Sequence, residues 1–142
     1  MAHTKPVVRM AKDSRGMAAI EFALISPVLV GIVLLLADVA GFVALNSGMK
    51  YGVRTGVQYI MNGGTDSAAT TAVVNQACTN KPSNATVSVT TTCACASTPV
   101  TCGTTCSGGG TPQTLKTIAA TAPFSGFLLS LSATASETVR VS

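Results

Sequence analysis

From Met17 onward the chain reads as one long apolar stretch, with no charged residue from Phe22 to Ala37, a run of 16 positions. A bilayer crossing takes roughly 20 residues. Met17–Ile20 and Val39–Leu45 supply the missing length, with Glu21 and Asp38 as the interruptions, so the pattern predicts a membrane span at about 17–45. The helical pattern then continues, with Val53, Val57, Ile60 and Met61 recurring at helical spacing. Gly48, Gly52 and Gly56 lie four apart on one face. Small residues at that spacing let another helix approach closely. The competing reading is an ordinary helix weakened by glycine, at about 1 kcal/mol for each relative to alanine. Asn62-Gly-Gly-Thr65 supplies the stop. A helix over 17–62 would be about 70 Å long at ~1.5 Å per residue. Pro27 removes one hydrogen bond inside it and is a point where the rod can kink.

Residues 65–142 follow a different pattern, with 18 Thr, 10 Ser and only five charged residues. Asp66 is a good N-cap for a short helix running to about Cys78. Residues 85–93 alternate and are β-branched, which predicts a strand; 114–122 and 131–141 predict two more. Residues 94–113 read as a Cys/Gly/Thr/Pro loop, and 123–130 as a connection carrying Phe124 and Phe127. The expected fold is therefore α+β: a long N-terminal helix, a short second helix, and a small three-stranded antiparallel sheet with a Cys-rich loop. The organisation expected is a leader at 1–16, the long helix at 17–62 and an exported domain at 65–142.

Composition sharpens this picture. Hydrophobic residues make up 47% and charged residues 10%, and mean hydropathy is +0.49. A soluble domain carries about a quarter charged residues. The net charge of +4 is mostly local: Lys5, Arg9, Lys12 and Arg15 against Asp13 put +3 of it in residues 1–16. That is a membrane flank rather than a nucleic-acid face, and it predicts a cytoplasmic N-terminus by the positive-inside rule. A basic flank before an apolar run also describes a signal peptide, but no small-x-small cleavage site closes the run cleanly; Ala37–Ala40 is a weak candidate. The only histidine is His3, and acids beyond residue 16 are Glu21, Asp38, Asp66 and Glu137. No phosphate-loop, dinucleotide or zinc-protease motif occurs. These counts speak against an enzyme and predict no cofactor.

All five cysteines, Cys78, Cys93, Cys95, Cys102 and Cys106, lie in the second half. So small a core is marginal, and cross-links are the usual remedy in an oxidising compartment. Zinc is the other use for Cys93, Cys95, Cys102 and Cys106, but their spacing is not the usual C-x₂-C pairing and no histidine helps. Disulfides are therefore expected and no metal. Cys102–Cys106 is the local bridge expected, with Cys78 joined to Cys93 or Cys95 and one thiol left over.

The junction Arg15-Gly16-Met17-Ala-Ala-Ile-Glu21-Phe22 combines a basic leader, a glycine, four apolar residues and a glutamate before a long apolar run. It resembles the processing site of Flp/Tad-class type IV prepilins. The fuller string from Gly16 to Pro27 resembles the opening of TadE-like minor pilins, or pseudopilins. Asp38 falls where that family often has an acid, and residues 122–127 and 133–141 are similar to its last two strands. The cysteine loop at 93–106 is not part of the family pattern.

The resemblance implies cutting by a prepilin peptidase between Gly16 and Met17. It implies a role for Glu21 in neutralising the new amine on a neighbouring subunit. It also implies a bacterial inner-membrane protein with its C-terminal domain in the periplasm, possible entry into an extracellular pilus, and no nucleic-acid partner. Its partners would be the major pilin, other minor pilins, the peptidase and inner-membrane lipid, in a hetero-oligomeric filament or assembly platform. The alternatives are a permanently anchored envelope protein with an exported binding domain, and an uncut component of a secretion platform.

Overall fold

The computed structural model of the protein describes residues 14–141. The leader residues His3, Lys5, Arg9 and Lys12, with the basic flank they form, lie outside these. Helix α1 (Ser14–Met61) is 48 residues long and runs through both Gly16 and Pro27. Gly16 thus lies inside the helix instead of marking its start. The apolar run and the glycine-bearing stretch after it are one element. It stops where Gly63, at φ +96, donates its N–H to the Ile60 carbonyl at 3.0 Å, while the Gly64 N–H reaches Tyr59 at 3.0 Å.

Helix α2 (Ser67–Ala77) begins at Asp66, whose carboxylate accepts from the N–H groups of Ala68 and Ala69, each at 3.1 Å. It folds back on α1, burying Thr70 and Val74. The remaining elements are β1 (Thr86–Cys95), β2 (Thr98–Val100), β3 (Gln113–Ser125) and β4 (Ser130–Arg140), in an antiparallel sheet of order β2-β1-β3-β4.

The sheet has four strands where the alternation predicts three. β2 is only three residues and contains Pro99, so it carries neither alternation nor β-branched character. It forms because Ala96, at φ +57, turns the chain back and pairs Thr98 with Cys95. As the outermost strand it tolerates a proline. β3 also runs to Ser125, past the expected end at 122. Pro123 fits there because β1 has already ended: its last partner on β3 is Thr121, and Pro123 pairs only with Ser132 of β4.

Both helices cover one face of the sheet, α1 over β3 and β4, α2 beside β1. The core joins Leu45, Met49, Val53 and Ile60 of α1 to Val74 of α2 and Ile118 of β3. Alanines line the sheet side, with Ala120 opposite Ala135 and Ala122 opposite Ala133. Such small side chains let α1 lie close on the sheet. The opposite face carries the Thr and Ser rows that dominate the composition, including a Thr117–Thr138 hydroxyl pair at 2.9 Å.

Candidate functional site

α1 divides into two parts at Asp38. Toward its N-terminus, Met17, Phe22, Leu24, Val28, Ile32 and Leu36 are all exposed. This is the one helix among the described residues long and apolar enough to cross a membrane, with a mean hydropathy of 2.7 in its most apolar window. Glu21 sits on it, also exposed. A Cβ built at Gly16 would meet nothing among the described residues, so their packing does not require glycine there. Beyond Asp38 the helix becomes the spine of the domain: Leu45, Met49, Val53 and Ile60 are buried at helical spacing.

Asp38 itself is 2% exposed. Its carboxylate accepts three backbone N–H groups from the β3–β4 loop: Phe127 at 2.8 Å on Oδ1, Leu128 at 2.6 Å and Leu129 at 2.9 Å on Oδ2. The Gly126 N–H meanwhile donates to the Leu129 carbonyl at 2.8 Å. Every amide of the four-residue tip is thus satisfied, three of them by one charge. Gly126 must be glycine, because a Cβ would strike the Asp38 carboxyl group. Just above, Phe42 and Phe124 meet edge to face at 5.9 Å, and a Cβ at Gly41 would come within 3.2 Å of the Phe124 ring. Sequence reading picked out Asp38 as an acid in a family position but not its partners, which are backbone groups and leave no side-chain signature. The one available signal was the glycine of Ser125-Gly126-Phe127.

The glycine face of α1 is filled by its own chain. A Cβ at Gly52 would collide with the Cys78 sulfur and approach the Val74 carbonyl to 3.2 Å; at Gly56 it would run into Val74 and Ile118. Gly48 lies under the Thr79 carbonyl, at 3.3 Å from such a Cβ. These residues meet α2 and the chain that follows it.

The cysteines pair as Cys93–Cys102 and Cys95–Cys106, with Cα atoms 5.1 and 5.7 Å apart, and Cys78 is free. The expected Cys102–Cys106 and Cys78 bridges are not formed. Cys93 and Cys95 point to one side of β1 and both reach the returning loop. Cys78, at the end of α2, is buried against Gly52. The other four sulfurs are used up in the two bridges, so in this structure none of them is a free thiolate. Among the described residues, no group of three or more His, Cys, Asp and Glu is placed to hold a metal.

α1 is long and apolar enough to cross a membrane and its N-terminal part is left bare, which suits a membrane anchor for the disulfide-bonded sheet carried on its C-terminal half. The family model described as TadE-like protein matches residues 16–58, nearly the whole of α1. Over that stretch, which includes the Gly16–Pro27 string, the chain is similar to TadE-like proteins. No curated protein and no solved structure matches the chain.

Proposed function

We propose that the protein is a TadE-like minor pilin, a structural or assembly component of a Tad-type pilus. Prepilin peptidase cuts after Gly16, the mature chain starts at Met17, and the subunit packs into the assembly through α1. The observation that carries this reading is the junction itself. Among the described residues nothing lies within reach of a Cβ at Gly16, so no packing there calls for glycine, whereas a peptidase that admits only a small residue would require it. Glu21 stands five residues further on, an exposed carboxylate on an apolar helix. Such a group costs about 2.5–3.5 kcal/mol near a bilayer centre and less toward its edge. Pairing with the Met17 amine of a neighbouring subunit offsets that cost. The basic leader keeps the N-terminus in the cytoplasm and leaves the disulfide-bonded domain in the periplasm, where cysteines oxidise. The major pilin and other minor pilins are the partners this reading gives.

Intact mass and N-terminal sequencing of protein extracted from membranes of cells with an active peptidase test it. A mature chain beginning at Met17 is expected. A full-length chain of 142 residues would overturn processing and return the protein to a permanently anchored envelope component.

A further inference from the structure

The tip of the β3–β4 hairpin is the most apolar exposed part of the domain. Phe127 is 77% exposed and Leu128 57%, and Leu131 beside them is also exposed. No charged residue occurs from Thr117 to Ser136, nor on α1 from Val39 to Met49. The tip is also fixed in height. Asp38 holds it at the level where the bare part of α1 ends.

That level can be set against a bilayer. Residues 17–37 give about 31 Å of helix at ~1.5 Å per residue, and a hydrocarbon core is about 30 Å thick. Centred between Glu21 and Asp38, such a core ends close to each acid. The tip then meets the outer boundary between acyl chains and headgroups. Two features suit it to that layer. Its four N–H groups are already bonded within the chain, so insertion strips no backbone donor of the tip of water. Its side chains are Phe, Leu and Leu between the hydroxyls of Ser125 and Ser130, an aromatic and aliphatic knob with a polar collar.

We propose that Phe127 and Leu128 insert into the outer interfacial layer of the same bilayer that α1 crosses, giving the domain a second, shallow membrane contact. The occupant of this surface is phospholipid. Asp38 is then a positioning residue that sets the depth and tilt of the domain against the membrane. The inference rests on α1 being a membrane span.

The chain contains no tryptophan, so single-tryptophan variants report depth directly. Phe127→Trp, Leu29→Trp and Tyr51→Trp, each in the full chain, are reconstituted in phosphatidylethanolamine/phosphatidylglycerol vesicles. The vesicles carry nitroxide lipids labelled either near the carbonyls or deep in the acyl chain. Phe127→Trp should emit to the blue and be quenched more by the shallow label than by the deep one. Leu29→Trp should show the reverse order, and Tyr51→Trp should be quenched by neither. Red emission from Phe127→Trp with quenching by aqueous acrylamide overturns the proposal. Blue emission insensitive to both lipid labels overturns it too, because a second copy of the chain then covers the tip. Failure of Leu29→Trp to respond to the deep label strikes instead at the membrane span.

Discussion

The two ends of the sheet are held in different ways. At the end nearest the bare helix, the β3–β4 tip is secured by one carboxylate of α1 and no covalent bond. At the far end, where Cys93 pairs with Thr114 across β1 and β3, α1 has already stopped at Met61. There the buried Lys116 donates to the Thr65 carbonyl of the turn between the helices, and beyond it no helix covers the sheet. Two disulfides and a folded loop take over. The difference follows from what each end can bury. Where α1 lies on the sheet, core and backbone hydrogen bonds suffice. Where it has run out, the chain offers mostly Thr, Gly and Ser, and cross-links constrain the unfolded state instead.

Removing both bridges should have the largest effect. Their ends are 9 and 11 residues apart in sequence, and loops of that size contribute about 2.5–3 kcal/mol each in the chain-entropy account. Replacing Cys93, Cys95, Cys102 and Cys106 by serine should therefore destabilise the detergent-solubilised protein by about 5 kcal/mol, at the low end of the sum because the two loops overlap in sequence. Amide hydrogen exchange should show the loss concentrated in residues 93–112, with Ile118, Ala120 and the α1 core still protected. Uniform loss along the whole sheet would mean that the two ends are not independent.

Asp38→Ala opens the other end. It frees three amide donors at once, and Asp38→Asn should be nearly as damaging. The carboxamide keeps one accepting oxygen but turns an NH₂ toward amides that need an acceptor. The amides of Phe127, Leu128 and Leu129 should lose protection by at least about tenfold, with a smaller fall in melting temperature than loss of the bridges causes. Thr114 and Phe124 lie ten positions apart on β3, about 34 Å of strand. At such a separation the two perturbations should add, and a double-variant cycle with a large coupling would break the comparison.

The ends also differ in how readable they are. α1 could be read because an uninterrupted apolar run admits few alternatives, and α2 because Asp66 stands at its start. β1, β3 and β4 showed themselves by alternation. β2 did not, since three residues including Pro99 form a strand only because the neighbouring chain offers an edge. The disulfide pairing was hidden for a related reason: nearness in sequence favours Cys102–Cys106, but the turn at Ala96 brings the returning loop to Cys93 and Cys95. At the other end, the Asp38 contact spans about 90 residues and engages only backbone, so no pattern of side chains announces it. The long helix, which carries the family match, was thus the legible part. The contacts that orient the domain on it were not.

Cys78 belongs to neither end, and its variants should have the smallest effect. Burial pushes its thiol above the ordinary value of 9.0, with the nearby Lys81 ammonium pulling the other way. A thiol whose pKa is raised by folding holds its proton more tightly when folded. Its contribution is intact below the unfolded value and is lost as pH climbs through that value toward the folded one. Between about pH 8 and pH 10, a range set by ordinary thiol ionisation, stability should therefore decline. Cys78→Ala should flatten that decline at the expense of roughly 1 kcal/mol at neutral pH for the lost packing over Gly52. Alkylation gives the independent reading. In the native protein Cys78 should react far more slowly than a free thiol at the same pH, and it should stay slow after mild reduction exposes the thiols of Cys102 and Cys106. If Cys78 reacts as soon as the distal bridges open, then the α1–α2 contact depends on the disulfide end. The boundary between the two regions would in that case have to move inward, to Gly52.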